Sequence, residues 1–414
     1  MNSLKTIKKS LLTIAVLGAF NVAAETVAIT NTTIYTGTDK GVMTDANVVI
    51  DGGKIVAINP ASLEVDRTVD GSGRVLTAGF IASLNQLGLV EVGAVSTSRD
   101  ARAKKGGISF DASLAFNPES TLVPFARKGG ITHSVVSPRG GDGIFSGTSF
   151  NVDLSGDFDS VVSTESAVIA GFGAASKDSR ASSLQSLKDK LKGQKDKLDK
   201  AAKKDDDKKA KEPSAEEKLL TALLNGEKPL IASASRATDI LNLLAIKKEF
   251  GLNLVLAWSY DAVKVKTQIA DAGVPVILNG MHNLPGNFDS LSASLETAGE
   301  LEKAGVKVIL ANTDSHLIYN LRLDAGNAVS YGMSAQGALQ AVTSNVAEVF
   351  GIEGGVVAKG QPANLVLWSG DPFEISSSAL NVWIEGEEQD LTTRQDKLRD
   401  RYTSKEDKRR GYIK

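Results

Sequence analysis

The sequence predicts an α/β protein: a TIM-like (β/α)8 barrel with a small composite β domain formed by both ends of the mature chain. Three observations point there. From residue 229 onward, short apolar runs alternate with helical patterns, the rhythm of a parallel sheet covered by helices on both faces. Further apolar runs at 75–83, 131–137 and 167–171 bring the strand count near that of a closed barrel. Strand-like stretches stand before and after this block. The rhythm alone suits a barrel or an open sheet; the added strands favour the barrel.

The chain opens on an export signal. Lys5, Lys8 and Lys9 precede the apolar run 11–20, and Val22-Ala23-Ala24 supplies small residues for cleavage before Glu25. That run is short of the ~20 residues that span a bilayer. The expectation is a periplasmic or secreted protein with no transmembrane segment in its mature chain. Removing the three lysines from the 47 Lys and Arg leaves 44 against 49 Asp and Glu, a net charge of -5. A mildly acidic total carries no nucleic-acid footprint. The absence of cysteine excludes disulfides, thiolate metal sites and a cysteine nucleophile.

The mature start reads as β structure. Residues 26–35 alternate apolar and polar side chains, and 47–50 and 54–58 flank Asp51-Gly52-Gly53, the turn chemistry of a hairpin. Short strands are expected within 65–75. After residue 229, strands at 229–234, 253–258, 274–279 and 306–311 alternate with helices at 238–250, 261–272 and 291–304, then helices at 321–332 and 335–350. Gly251, Gly273 and Gly305 stop the first three, as residues that accept a left-handed C-cap at least cost. Strand character returns at 363–368 and 382–384.

One block departs from this rhythm. Residues 188–212 carry eleven Lys against six Asp and one Glu, with Leu184, Leu187, Leu191 and Leu198 at heptad-like spacing. A solvated amphipathic helix or mobile insertion is the plain reading; a docking arm for an acidic surface or anionic lipid is the functional one, weakened by Asp205, Asp206 and Asp207. Ser214 and Glu217 have capping-box spacing for the next helix. The resulting organisation is a signal at 1–24, a composite β domain at 25–75 and 355–387, a barrel at 76–354 with a charged insertion near 176–217, and a charged tail at 388–414.

Val75-Leu76-Thr77-Ala78-Gly79-Phe80-Ile81 resembles the entry to the catalytic barrel of the amidohydrolase superfamily, in particular its imidazolonepropionase-like members. Four further places agree: the hairpin from Val48 to Ile55, Ala311-Asn312-Thr313-Asp314-Ser315, the run from Ala341 to Gly351, and Gly360-Gln361-Pro362-Ala363-Asn364-Leu365-Val366. Asn364 stands where the family usually has Asp. The resemblance implies a hydrolase of carbon–nitrogen bonds, not necessarily peptide, with one or two divalent metals of the zinc type at the barrel mouth. Such an ion lowers the pKa of bound water to ~7 and polarises the scissile carbonyl.

The ligand positions implied by the resemblance are altered here. The His-x-His of the first strand falls on Leu84 and Gln86, and the next two histidines on Ser233 and Trp258. No lysine or histidine is located for the fourth strand. Asp314 alone matches, as ligand and general base. Leu carries no donor, and an indole of roughly 150–250 Å² fills the space a metal and its water need. The opposing possibility is a register in which Trp258 faces the helices.

Other candidates are few. His282 and His316 follow strands and sit on the loop face, with Asp314 as the third member of a relocated cluster; His133 belongs at the opposite end. Arg236 suits a ligand carboxylate or a pairing with Asp239. The loop Pro138-Arg139-Gly140-Gly141-Asp142-Gly143 lacks the spacing of a phosphate loop and reads as a turn. Ser233 and Ser235 have no histidine in the same motif to form a triad. Two readings therefore stand. The first is a degenerate site on a weakly active or non-catalytic barrel, with no cofactor expected, that holds a small-molecule ligand, a homologous amidohydrolase subunit or a second copy of itself. The second is an active amidohydrolase on an amide or cyclic amide, using Asp314 and a non-standard or absent metal site.

Overall fold

A computed structural model describes residues 25–141, 143–175, 178–203 and 212–404. The segment read above as an export signal, the middle of the lysine-rich insertion and the end of the tail lie outside the described residues.

The described chain starts with β1 (Val27–Tyr35), β2 (Val42–Asp51), β3 (Lys54–Ile58), β4 (Arg67–Asp70) and β5 (Val75–Ala78). β1 pairs antiparallel with β2 and parallel with β4 and β5. The β2–β3 hairpin turns on Gly52 and Gly53, with φ of 53° and 78°, the two positive values its tight turn requires. The apolar run predicted as one strand over 75–83 is two strands in different sheets. β5 ends at Ala78, and Gly79 hands the chain to β6 (Phe80–Asn85). A Cβ on Gly79 would lie 2.2 Å from the Thr132 side chain, so only glycine fits the crossing.

The barrel follows with α1 (Leu122–Lys128), β7 (Ile131–Val136), β8 (Phe145–Asp153), β9 (Val161–Gly171), α2 (Arg180–Ala202), α3 (Ala215–Leu224), β10 (Leu230–Ser233) and α4 (Ala237–Phe250). It continues through β11 (Leu254–Ala257), α5 (Lys266–Asp271), β12 (Val276–Leu278), α6 (Thr297–Lys303), β13 (Val308–Leu310), α7 (Leu321–Ser330), α8 (Ala335–Ala341) and α9 (Ser344–Phe350). Its strands lie in sequence order from β6 to β13. Two features differ from expectation. β8 was not foreseen, and it runs antiparallel to both neighbours. Its Ser, Thr and Asn residues and its Gly obscure the apolar signal of a buried strand. Helix α6 also begins at Thr297, not at 291, because residues 279–296 form a long connection.

The nearly closed barrel leaves a seam between β13 and β6. It is bridged by Ile81 N–H donating to Val342 O at 2.8 Å and by Asn345 Nδ2 donating to Val308 O at 2.8 Å. The lumen is apolar. Ile81, Val135, Ile231, Val255, Ile277 and Ile309 from six strands pack together with Val346, Ala347 and Phe350 of α9.

Both ends of the chain meet in the second sheet. β14 (Leu365–Trp368) pairs antiparallel with β5, and β15 (Ala379–Ile384) and β16 (Glu387–Glu388) extend that edge. Trp368 joins the sheet to the barrel. Its indole N–H donates to Thr77 Oγ1 at 2.9 Å, and its ring centroid lies 5.3 Å from that of Phe80. The charged insertion forms two paired helices: Leu187 and Leu191 of α2 are buried, and Gln194 Nε2 donates to Thr221 Oγ1 of α3 at 2.9 Å. The expected capping box of Ser214 and Glu217 starts α3. In the tail, α10 (Arg394–Thr403) is capped by Thr393 and tied to α1 by Lys128–Asp396 at 2.7 Å. No helix among the described residues is long and apolar enough to cross a membrane.

Candidate functional site

β6, β7 and β9 to β13 run the same way, so the connections leaving their C-terminal ends share one mouth. On β6, the pairing with β7 shifts register between Ser83 and Asn85, and Leu84 between them has φ of 52°. This is a β-bulge. It turns Asn85 outward, where Nδ2 donates to Ser134 Oγ at 2.8 Å, and sends Leu84 into the lumen cluster, 6% exposed. Gln86 follows, half-buried. Ser233 ends β10 on the same face as Ile231, by the two-residue period of a strand.

Trp258 follows β11 with φ of 56°, and its ring packs against the lumen cluster. Trp258 thus packs on the lumen side and not against the helices. Trp258, Tyr260, Leu278, Asn279 and His282 line a small pocket. Tyr260 Oη and His282 Nδ1 share a hydrogen bond of 2.7 Å, and burial raises the Tyr260 phenol above its usual range. The fourth barrel strand leaves the sheet at Gly171-Phe172-Gly173, which offers no ionisable side chain.

After β13, Asp314 is exposed at the mouth, and its backbone N–H donates to Asn312 Oδ1 at 3.2 Å. Asn312 Nδ2 reaches Asp324 Oδ2 of α7 at 3.5 Å. Burial pushes the Asp324 carboxyl up to about 7, a shift that the Asn312 hydrogen bond opposes. His316 is exposed. His133 lies at the far end, as expected, beside Thr132 Oγ1 at 3.1 Å. Burial pushes its imidazole down to about 4, against the pull of Asp153.

The expected Arg236–Asp239 pairing is not made. Arg236 Nε donates to Asp289 Oδ1 at 2.7 Å, and Asp239 Oδ2 accepts from Arg180 Nε at 3.1 Å. Arg180 Nη2 also contacts Asp289 Oδ2, closing a four-residue network at the mouth. Arg180 was hidden in the charged insertion and Asp289 in the long connection before α6. No local spacing connects them to Arg236.

The side chains at the positions to which the resemblance assigns ligands are a hydrocarbon, an amide, a hydroxyl, an indole and one carboxylate. This does not fit a divalent ion, which takes imidazole and carboxylate donors in fixed geometry. Nor do Asp314, His282 and His316 converge: among the described residues, no three His, Cys, Asp or Glu side chains gather in a group able to hold a metal.

Residues 243–396 match the model of the amidohydrolase family. An amidohydrolase from Thermotoga maritima is similar in structure, with a TM-score of 0.79 and 24% identity over 87% of this chain and 99% of that one. A prolidase complexed with N-methylphosphonate-L-proline gives 0.54 and 14%, covering 88% and 99%. An adenosine deaminase from Xanthomonas campestris with bound zinc gives 0.51 and 15%, covering 87% and 92%. No curated protein matches the sequence. At these identities the structural likenesses show the fold, a barrel with an appended β sheet.

Proposed function

With membership of the amidohydrolase superfamily supported by the family match and the shared fold, we propose that this chain is an exported member whose barrel mouth binds instead of hydrolysing. Its ligand is a small molecule or a homologous subunit. One observation carries the reading. Leu84 and Trp258, at two positions where the family places metal-binding histidines, both hold the left-handed backbone, yet their side chains enter the apolar lumen. A left-handed L-residue costs roughly 1–2 kcal/mol. The backbone of a functional mouth thus persists under side chains that cannot ligate.

Elemental analysis of protein purified without chelator tests this. The expected result is divalent metal far below one ion per chain, and an Asp314→Asn variant that folds with the stability of the parent. A stoichiometric ion that Asp314→Asn loses would end the proposal. The second reading, an active amidohydrolase on an amide or cyclic amide, is favoured by the exposed carboxylate of Asp314 on a loop anchored through Asn312. Turnover of cyclic amides by the parent but not by Asp314→Asn would establish it.

A further inference from the structure

The connection between β12 and α6 is held in an unusual way. Leu284, Phe288 and Leu291 are 80%, 86% and 67% exposed, so its large apolar side chains bury little. Polar ties hold it instead. Asp289, only 8% exposed at its side chain, sits between the guanidinium groups of Arg180 and Arg236. Ser292 Oγ donates to Asp261 Oδ1 at 2.5 Å. The side chains of Arg180 and Arg236 remain 31% and 46% exposed.

We propose that Arg180 and Arg236 form a binding site for the carboxylate of a small-molecule ligand, which Asp289 fills in the present conformation and from which that ligand displaces it. Charge supports this. With Asp289 withdrawn, Asp239 is the one ion-pair partner left to Arg180 and Arg236 among the described residues, so the three side chains carry one net positive charge that a single carboxylate neutralises. Two guanidiniums converging on one carboxylate is a geometry as suited to a ligand as to a side chain.

Position supports it too. Arg236 is the N-cap of α4, directly after the mouth end of β10. The preceding residue, Ser235, donates through Oγ to Trp258 O at 3.1 Å and accepts from Asp261 N–H at 2.9 Å. A ligand carboxylate on Arg236 therefore places the ligand's body beside the pocket of Trp258 and Tyr260. Release of Asp289 frees the connection, and its exposed Leu284, Phe288 and Leu291 become available to cover that body. The competing account is a purely structural staple, in which paired charges only fix the loop.

The inference rests on the mouth being a binding surface, and the two are separable by experiment. Benzoate is the probe and benzamide its uncharged control, followed by tryptophan fluorescence. Trp368 and Trp383 are fully buried, so Trp258 is the responsive indole. Removing the internal competitor in Asp289→Asn is expected to tighten benzoate binding roughly tenfold or more, as the cost of displacement disappears. Adding Arg236→Gln to that variant is expected to abolish the gain. No gain, a gain that survives Arg236→Gln, or equal binding of benzamide overturns the proposal.

Should Asp289→Asn fail to fold, the parent decides. Benzoate at constant ionic strength is expected to speed chymotryptic cleavage after Phe288, and benzamide is not; unchanged cleavage overturns the proposal. A bound catalytic ion would defeat the wider reading of the mouth through the metal content, leaving the benzoate result to stand or fall separately.

Discussion

Leu84 separates what a backbone needs from what a side chain contributes. Leu84→Ala removes lumen packing and is expected to cost about 2–5 kcal/mol. Leu84→Gly loses the same packing but recovers about 1–2 kcal/mol at a left-handed position. The glycine variant should therefore be at least as stable as the alanine variant, the reverse of their order in an ordinary strand. Urea denaturation of the two checks this. Two buried titrating groups act in opposite senses. His133 binds its proton less well folded than unfolded, so its contribution is present above pH 6.5 and is lost as pH falls towards about 4. Asp324 binds its proton better folded, so its contribution is present at low pH and is lost as pH rises from 3.8 through about 7. Asp324→Asn removes only the second. Against the parent it should gain stability between pH 5 and pH 8, on the order of 2–4 kcal/mol at the upper end. A difference in urea midpoint that stays constant across that range would contradict this. The place of Leu84 near the end of the first barrel strand was legible in the sequence because it is counted locally from Gly79. The partner of Arg236 was not, because Asp289 lies 53 residues away while Asp239 stands in the first turn of the same helix and suits a guanidinium equally well on paper.

The paired helices of the insertion show how charge and packing divide the work of an element. Leu187 and Leu191 are fully buried, while Lys190–Glu216 and Lys197–Glu217, each 2.8 Å, lie on the outer surface. Exposed pairs contribute little, because water screens them and long side chains lose freedom. Lys190→Ala and Lys197→Ala are each expected to change stability by less than about 1 kcal/mol. Leu191→Ala is expected to cost about 2–5 kcal/mol, and thermal denaturation separates the two classes. The leucine spacing announced this helix and Ser214 its successor. β8 was unannounced because burial, not composition, makes it a strand: Thr148, Ser149 and Asn151 are buried polar residues with partners on other segments, such as Asn151 Nδ2 donating to Phe350 O at 2.9 Å, while Asn151 Oδ1 is left without one.

The two sheets of the molecule are joined by residues far apart in sequence. Trp368 of β14 lies against Phe80 of β6, and a Cβ on Gly130 would come within 2.2 Å of its ring. The barrel and the appended sheet should accordingly unfold together. Coincident transitions by tryptophan fluorescence and far-ultraviolet circular dichroism are expected, and a chain ending at residue 360 should not fold. Alternation at 26–35 and the return of strand character at 363–368 and 382–384 made this composite sheet legible. The strand exchange at Gly79 was not, because one apolar run serves two sheets.

The reversed β8 also bears on how the chain assembles. β7, β8 and β9 succeed one another through the connections 137–144 and 154–160, without an intervening helix. Neighbours along the chain become neighbours in the sheet, so little loop entropy opposes their association. Hairpins of this kind form in about 1–10 μs, ahead of pairings that wait for a helical crossover. The antiparallel trio is thus placed to form early and to serve as the template on which β6 and β10 are laid, with the seam beside β13 closing last.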